Sequence, residues 1–211
     1  MDEKNHALYD FNTIYRRFKQ KGNFVMPKIK VPKERRKLIT PSVMGGMINS
    51  AKTRQDKAVL VFYYIFGTRV SEAFTIMKED MWIYGDILHV KIKRSKTKGT
   101  FPKIDTLRAK TTTNFIHYLI AHWSEVHEGR LFDYGSNSNT FRNKVWRLVK
   151  SVNQDAWVHI FRHTRNDAFR RKGYTASQRM AWFGWVDPKT ADKSYSHPSD
   201  KEIEEMGGDI E

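Results

Sequence analysis

The sequence predicts an α+β domain that is mostly α-helical and carries one small antiparallel sheet. Three observations predict it. Apolar residues recur three and four apart along most of the chain, and a single stretch near residue 90 alternates with period two. The run Thr97-Lys98-Gly99-Thr100, with the residue types of a turn, follows that stretch directly.

The elements follow in order. Tyr9 to Lys21 places Phe11, Ile14, Tyr15 and Phe18 at helical spacing, with Arg16, Arg17, Lys19 and Lys21 opposite, and predicts an amphipathic helix. Val25 to Lys37 holds Pro27, Pro32 and many mutually repelling cations, which predicts an extended linker. Thr40 can cap a helix whose first residue is Pro41 and whose apolar side is Val43, Met44, Met47 and Ile48. Ala58 to Phe66 is almost wholly apolar, as a central buried helix requires. Gly67 ends it, and Ser71-Glu72 opens another. From Ile87 to Lys93, Leu88, Val90 and Ile92 alternate with Ile87, His89, Lys91 and Lys93, a half-buried strand. Phe101 to Ile104 is read as its returning partner. Helices are predicted over Thr111–Val126, Thr140–Val152, His159–Lys172, Ser177–Phe183 and Pro188–Tyr195.

Composition narrows the functional classes. The 211 residues contain 38 Lys+Arg against 23 Asp+Glu, a net charge of +15, which suits a polyanionic partner such as DNA. The charge is uneven: residues 1–41 hold 11 Lys+Arg and 4 Asp+Glu, whereas the segment after Pro198 holds six acids and one lysine. Without cysteine there is no disulfide framework, thiolate nucleophile or cysteine-based zinc site. No histidine cluster has metal-ligand spacing; His117 and His122 are five apart and share a helix face poorly. No stretch approaches the roughly 18 apolar residues of a membrane span, and the N-terminus lacks a signal-peptide core. The protein is expected to work inside the cell, in the cytoplasm, and to have no membrane partner.

Three motifs carry the chemistry: Gly67-Thr68-Arg69-Val70-Ser71-Glu72, then His159-Ile160-Phe161-Arg162-His163-Thr164, then Phe183-Gly184-Trp185 followed by Lys193-Ser194-Tyr195-Ser196-His197. Their order and spacing resemble the catalytic signature of tyrosine recombinases, the phage-integrase family, over roughly residues 30 to 198. The resemblance implies the tyrosine recombinase (DNA breaking-rejoining) catalytic fold over 39–197. Residues 1–38 would be a basic helix and linker left from a core-binding domain, and 198–211 an acidic tail.

The same resemblance implies roles. Arg69 and Arg162 would surround one DNA phosphate, since guanidinium groups keep their charge and match phosphate oxygens with a fork of donors. His159, one turn before Arg162, would shuttle a proton. Trp185 stands where the family usually has histidine; its indole N–H can donate to a phosphate oxygen but moves no proton. Tyr195 would be the nucleophile, ten residues beyond Trp185 and one more than the usual gap, with the extra residue assigned to the loop Val186-Asp187-Pro188-Lys189. Tyr174 is the alternative. Lys96, within Ser95-Lys96-Thr97, resembles the family's hairpin lysine best, with Lys98 next and Lys93 and Lys91 behind. Glu72 reads equally as support for the site or as a simple i,i+3 partner of Arg69. His163 is expected to be a buried helix residue, and Arg165, Arg170, Arg171 and Lys172 a solvated or DNA-facing group.

Duplex DNA is the expected partner, contacted by Lys28, Lys30, Lys33, Arg35, Arg36 and Lys37 of the linker and by Lys93, Arg94 and Lys98 of the hairpin. Self-association on DNA as a synaptic tetramer is implied by the resemblance. Exchange through a phosphotyrosyl bond conserves bond energy, so neither a cofactor nor a metal is required. A type IB topoisomerase is the nearest rival activity. A non-catalytic DNA-binding module, with Ala168 to Trp185 as a helix-turn-helix, is the rival from another class.

Overall fold

The computed structural model describes residues 38–94 and 103–185. The chain divides into two units between Lys37 and Leu38, and every described residue belongs to the second. The first predicted helix, the linker, the hairpin tip and the Pro188–Tyr195 helix lie outside the described residues.

Helix α1 spans Pro41–Ser50, with the Thr40 hydroxyl accepting from Val43 N and Pro41 in the first turn. Proline costs nothing there because the first N–H groups of a helix have no intrahelical acceptor. Helix α2, Arg54–Phe66, opens on a reciprocal Thr53–Asp56 capping box. It is the centre of the core: Ala58 through Tyr63, Ile65 and Phe66 are all buried. Each Val, Leu, Ile or Phe among them contributes about 1.5–3 kcal/mol by leaving water, so this one helix supplies much of the folding drive. Phe62 packs edge-on against Phe132, ring centroids 5.3 Å apart, and tilts against Phe66 at 5.2 Å.

Gly67 stops α2 in the left-handed conformation, φ 60°, its N–H donating to the Tyr63 carbonyl at 2.8 Å. The short helix α3, Val70–Phe74, follows with Arg69 in the cap position. The sheet is β1 Met81–Tyr84, β2 Ile87–Lys93 and β3 Ile104–Lys110, antiparallel in the order β1-β2-β3. Lys93 pairs with Ile104 and Ile87 with Lys110. Leu88, Val90, Ile92, Leu107 and Ala109 face the core.

One strand expectation is corrected, and one strand lies where none was expected. The return strand begins at Ile104, where the expected one ended, because only Leu107 and Ala109 carry its buried face and that alternation is faint. Strand β1 was not foreseen, being four residues long and lying at the sheet edge.

Helix α4, Ile116–Glu125, starts five residues later than expected, after Phe115 at φ 67°. Three successive β-branched threonines, Thr111 to Thr113, form the turn before it. Helix α5 is Ser138–Val152, capped by the Asn137 side chain. Helix α6 is Val158–Arg171, and α7 is Ala176–Phe183 with a Thr175–Gln178 capping box. Helix α2 lies between α4 and α6. Ile39 N donates to Thr164 Oγ1 at 3.0 Å, pinning the start of the described chain to α6.

Candidate active site

Arg162 holds the site together. It is 2% exposed, and its Nη1 donates to the Gly67 carbonyl at 3.0 Å while Nη2 donates to the Phe183 carbonyl at 2.6 Å. Both acceptors stand at helix C-terminal ends, α2's cap and α7's last residue, where unsatisfied carbonyls concentrate negative partial charge. Two helix ends therefore stabilise a buried cation. Its guanidinium also lies over the rings of Phe183 and Trp185, at 4.7 and 5.1 Å from their centroids. Gly67 of the first motif, Arg162 of the second and Phe183 and Trp185 of the third, far apart along the chain, meet around this one side chain.

Gly67 permits the approach. A Cβ there would stand 3.3 Å from Arg162 Cα and 2.9 Å from Phe183 Cε1. Two residues later Arg69 is 19% exposed, with Nη1 donating to Glu72 Oε1 at 2.7 Å. Glu72 is fully buried, and its Oε2 accepts from Arg69 N at 2.8 Å. The i,i+3 partnership expected for Glu72 is present, and it also fixes the backbone that presents Arg69.

His159 is exposed in the first turn of α6, with its ring edge-on to His163, centroids 5.0 Å apart. One helical turn separates it from Arg162, so the two share a face. His163 is half-buried between His159 and Trp157 rather than buried. Trp185 is half-buried and stacked on Phe183 at 4.7 Å. The tryptophan that belongs to the core is Trp182, whose Nε1 donates to the Phe66 carbonyl at 3.0 Å and whose ring stacks on Phe66.

One cation expected to face DNA, Arg94, is buried, and one expected in a solvated or DNA-facing group, Arg165, is half-buried. Arg94 is 4% exposed, with Nε donating to Asp105 Oδ2 at 2.6 Å and Nη2 to the Trp182 carbonyl at 2.5 Å. The physical reason is strand parity: Leu88, Val90 and Ile92 point inward, and residue 94 continues that series. Alternation was the signal that could have found it. Arg165 is half-buried over Phe169 and Trp182, and burial lowers its pKa, opposed by Tyr64 and Tyr174. Arg170 and Arg171 pair with Asp167 at 3.3 and 2.7 Å.

The exposed face of the sheet does carry cations. Lys93 stands there with Lys91, Arg108 and Lys110. Lys91 lies over the Trp82 ring, and Arg108 Nε donates to His89 Nδ1. The basic hairpin expected from the sequence thus keeps Lys91 and Lys93 outward while Arg94 turns in. Lys96, Lys98, Tyr195 and the linker cations lie outside the described residues. Among the described residues no group of His, Asp and Glu could hold a metal ion, and no helix is long and apolar enough to cross a membrane.

The sequence model of the phage integrase family matches residues 37–202. The chain belongs to that family. Transposase A of transposon Tn554 from Staphylococcus aureus is 22% identical over 194 residues, 83% of this chain and 53% of the transposase. The chain therefore spans about half the length of that relative. The fold matches the XerA recombinase with a TM-score of 0.60 at 18% identity, covering 93% of this chain and 72% of that one. It also matches the XerH site-specific recombinase, in a structure described as a post-cleavage complex with palindromic difH substrate. There the TM-score is 0.63 at 15% identity, with 89% of this chain and 58% of the other covered. The integrase of transposon Tn1549, in complex with transposon right-end DNA, matches with a TM-score of 0.58 at 13% identity, covering 93% and 75%. The mostly helical architecture with a three-stranded antiparallel sheet is the tyrosine recombinase fold.

Proposed function

We propose that this chain is a site-specific DNA recombinase that cleaves and rejoins strands through a 3′-phosphotyrosyl intermediate. The observation that carries the reading is the clasp of Arg162 by the Gly67 and Phe183 carbonyls, which gathers the Arg69, His159–Arg162 and Trp185 motifs in one place. In the reaction the Tyr195 phenol oxygen attacks phosphorus and the bond to the 5′-oxygen breaks. His159 takes the phenolic proton and Lys96 gives a proton to the departing 5′-oxygen; the resulting 5′-hydroxyl then attacks the 3′-phosphotyrosyl phosphorus of the partner strand, breaking its bond to tyrosine and releasing the protonated phenol. Arg69 and Arg162 supply charge where the phosphorane gathers it, and Trp185 donates its indole N–H to a phosphate oxygen. No nucleotide cofactor or metal enters these steps.

The partner is duplex DNA, met by Lys93 and by the linker cations Lys28, Lys30, Lys33, Arg35, Arg36 and Lys37; the structures of XerH with difH substrate and of the Tn1549 integrase with transposon right-end DNA support a DNA partner. Self-association into a synaptic tetramer follows from exchange between two duplexes. Sites of action are the nucleoid or the DNA of a host for a mobile element. Residues 1–38, 39–197 and 198–211 serve as linker, catalytic domain and tail.

The test is covalent trapping on a pool of nicked duplexes of randomised sequence, with mass spectrometry of the adducted peptide. The adduct is expected on Tyr195 and absent from Tyr195→Phe, which should still bind duplex. An adduct on Tyr174, or one formed by Tyr195→Phe, would overturn the nucleophile assignment. No adduct on any sequence would overturn the enzymatic reading and favour a DNA-binding module.

A further inference from the structure

Arg94 is enclosed, charged and absent from the reaction just described. Two acceptors and an ion-pair partner surround its guanidinium: Asp105 Oδ2 at 2.6 Å and the Trp182 carbonyl at 2.5 Å accept its N–H groups, and Glu72 Oε2 lies 3.6 Å from Nη1. Its backbone N–H donates to the Lys103 carbonyl at 2.9 Å, at the base of the β2–β3 arm. Gly184 covers it so closely that a Cβ there would stand 2.8 Å from Arg94 Nε. The side chain is held on every one of these sides.

We propose that Arg94 is a positioning residue for Arg69, acting through the buried carboxylate of Glu72. A fully buried carboxylate must find cationic or N–H partners for both oxygens. Glu72 Oε1 takes Arg69 Nη1; Oε2 takes Arg69 N and the charge of Arg94. With Arg94 behind it, Glu72 shares its charge between two guanidinium groups and engages Arg69 through a single side-chain nitrogen. The other Arg69 donors are left for a phosphate. Without Arg94 the whole carboxylate charge would fall on Arg69, drawing the guanidinium inward and cancelling its field at the substrate. The same arginine holds the Trp182 carbonyl, three residues before Trp185, so the Arg69 loop and the end of α7 stay in one register. Asp105 is the counterpart that keeps Arg94 from leaving: burial raises its pKa, and the stronger opposing pull of Arg94 and Lys103 leaves it below the ordinary carboxylate range.

The inference rests on the reading of Arg69 as a phosphate-binding residue, and the experiment separates the two. Single-turnover cleavage by the full chain is measured at saturating DNA on a nicked duplex selected from the adduct pool. It is repeated with a methylphosphonate at the scissile position, which is neutral and needs less cationic stabilisation. Arg94→Met is expected to lower cleavage about 10- to 100-fold on phosphate, the scale of a misplaced catalytic group, with duplex affinity nearly unchanged. On methylphosphonate both Arg94→Met and Arg69→Ala should lose several-fold less. A variant that merely folds less well loses the same factor on both substrates, and that result for Arg94→Met would overturn the proposal. If Arg69→Ala also loses equally on both, the phosphate-binding reading of Arg69 fails and the proposal with it. Should Arg94→Met not fold, Arg94→Gln, which removes the charge but keeps an N–H donor for Asp105 or the Trp182 carbonyl, is measured in the same way and judged by the same ratio.

Discussion

Replacing Gly67 by alanine tests the junction on which the site depends. Two costs add. The residue sits at φ 60°, where a Cβ costs about 1–2 kcal/mol. That Cβ would also stand 2.9 Å from Phe183 Cε1, 3.2 Å from Arg165 Cβ and 3.3 Å from Arg162 Cα. The last is helix backbone, and the Phe183 ring is buried and stacked on Trp185, so neither yields easily. Overpacking of this kind costs about 1–3 kcal/mol. The sum is about 2–5 kcal/mol, or roughly 5–20 °C in melting temperature for a domain of this size. Gly46→Ala is the internal control. It lies in the interior of α1 with nothing within 4 Å of its would-be Cβ, so alanine there should stabilise by about 0.5–1 kcal/mol. Urea unfolding and thermal melts of the two variants give opposite signs if the reasoning is right. Adduct formation by Gly67→Ala, measured well below its melting point, should also fall, because the displaced carbonyl is an Arg162 acceptor. Native-like stability and native adduct yield together would refute both the strain argument and the central place of the Gly67–Arg162 bond.

Further outcomes follow from the site and the charge distribution. Lys96→Ala should lose cleavage on an ordinary substrate and regain it when the bridging 5′-oxygen is sulfur, a leaving group that needs little protonation; regain by Lys98→Ala instead would move the assignment two residues along the hairpin. Neutralising three of Lys28, Lys30, Lys33, Arg35, Arg36 and Lys37 should reduce the slope of log affinity against log salt by roughly two to three units, and an unchanged slope would remove the linker from the DNA interface. Burial lowers the pKa of His122, opposed by its bond to the Leu131 carbonyl, with Arg54 and Lys78 lowering it further. The unfolded chain therefore binds the extra proton first, and stability should fall as pH drops below about 6.5, the unfolded value. His122→Asn should flatten that dependence of unfolding free energy, and an unaltered profile would show that another group sets it.

Much of the fold was legible because local chemistry and packing agree in the helices. Thr40-Pro41 reads as a helix start and is one; the apolar run before Gly67 reads as a buried helix and is the centre of the core. The sheet was less legible because its signal is short. Four residues of β1 and a β3 with two inward apolar side chains barely alternate, and only pairing with β2 makes them strands. Helix α4 begins late because the Thr111–Thr113 run and Phe115 at positive φ make a turn where the apolar spacing alone suggested helix.

By itself the sequence determined the family and the basic character, and it singled out Arg69, His159, Arg162 and Trp185 as the proposed site residues, since these rest on residue types and order along the chain. Only the tertiary structure decided what each cation does. Arg162 and Arg94 lie 68 positions apart in sequence, yet both end buried against carbonyls of α7, at Phe183 and Trp182. Lys93 and Arg94 are neighbours, and one faces solvent while the other joins Glu72 to Asp105. A charge count cannot separate them, because burial of a cation depends on which distant carboxylates and helix ends the fold brings within reach.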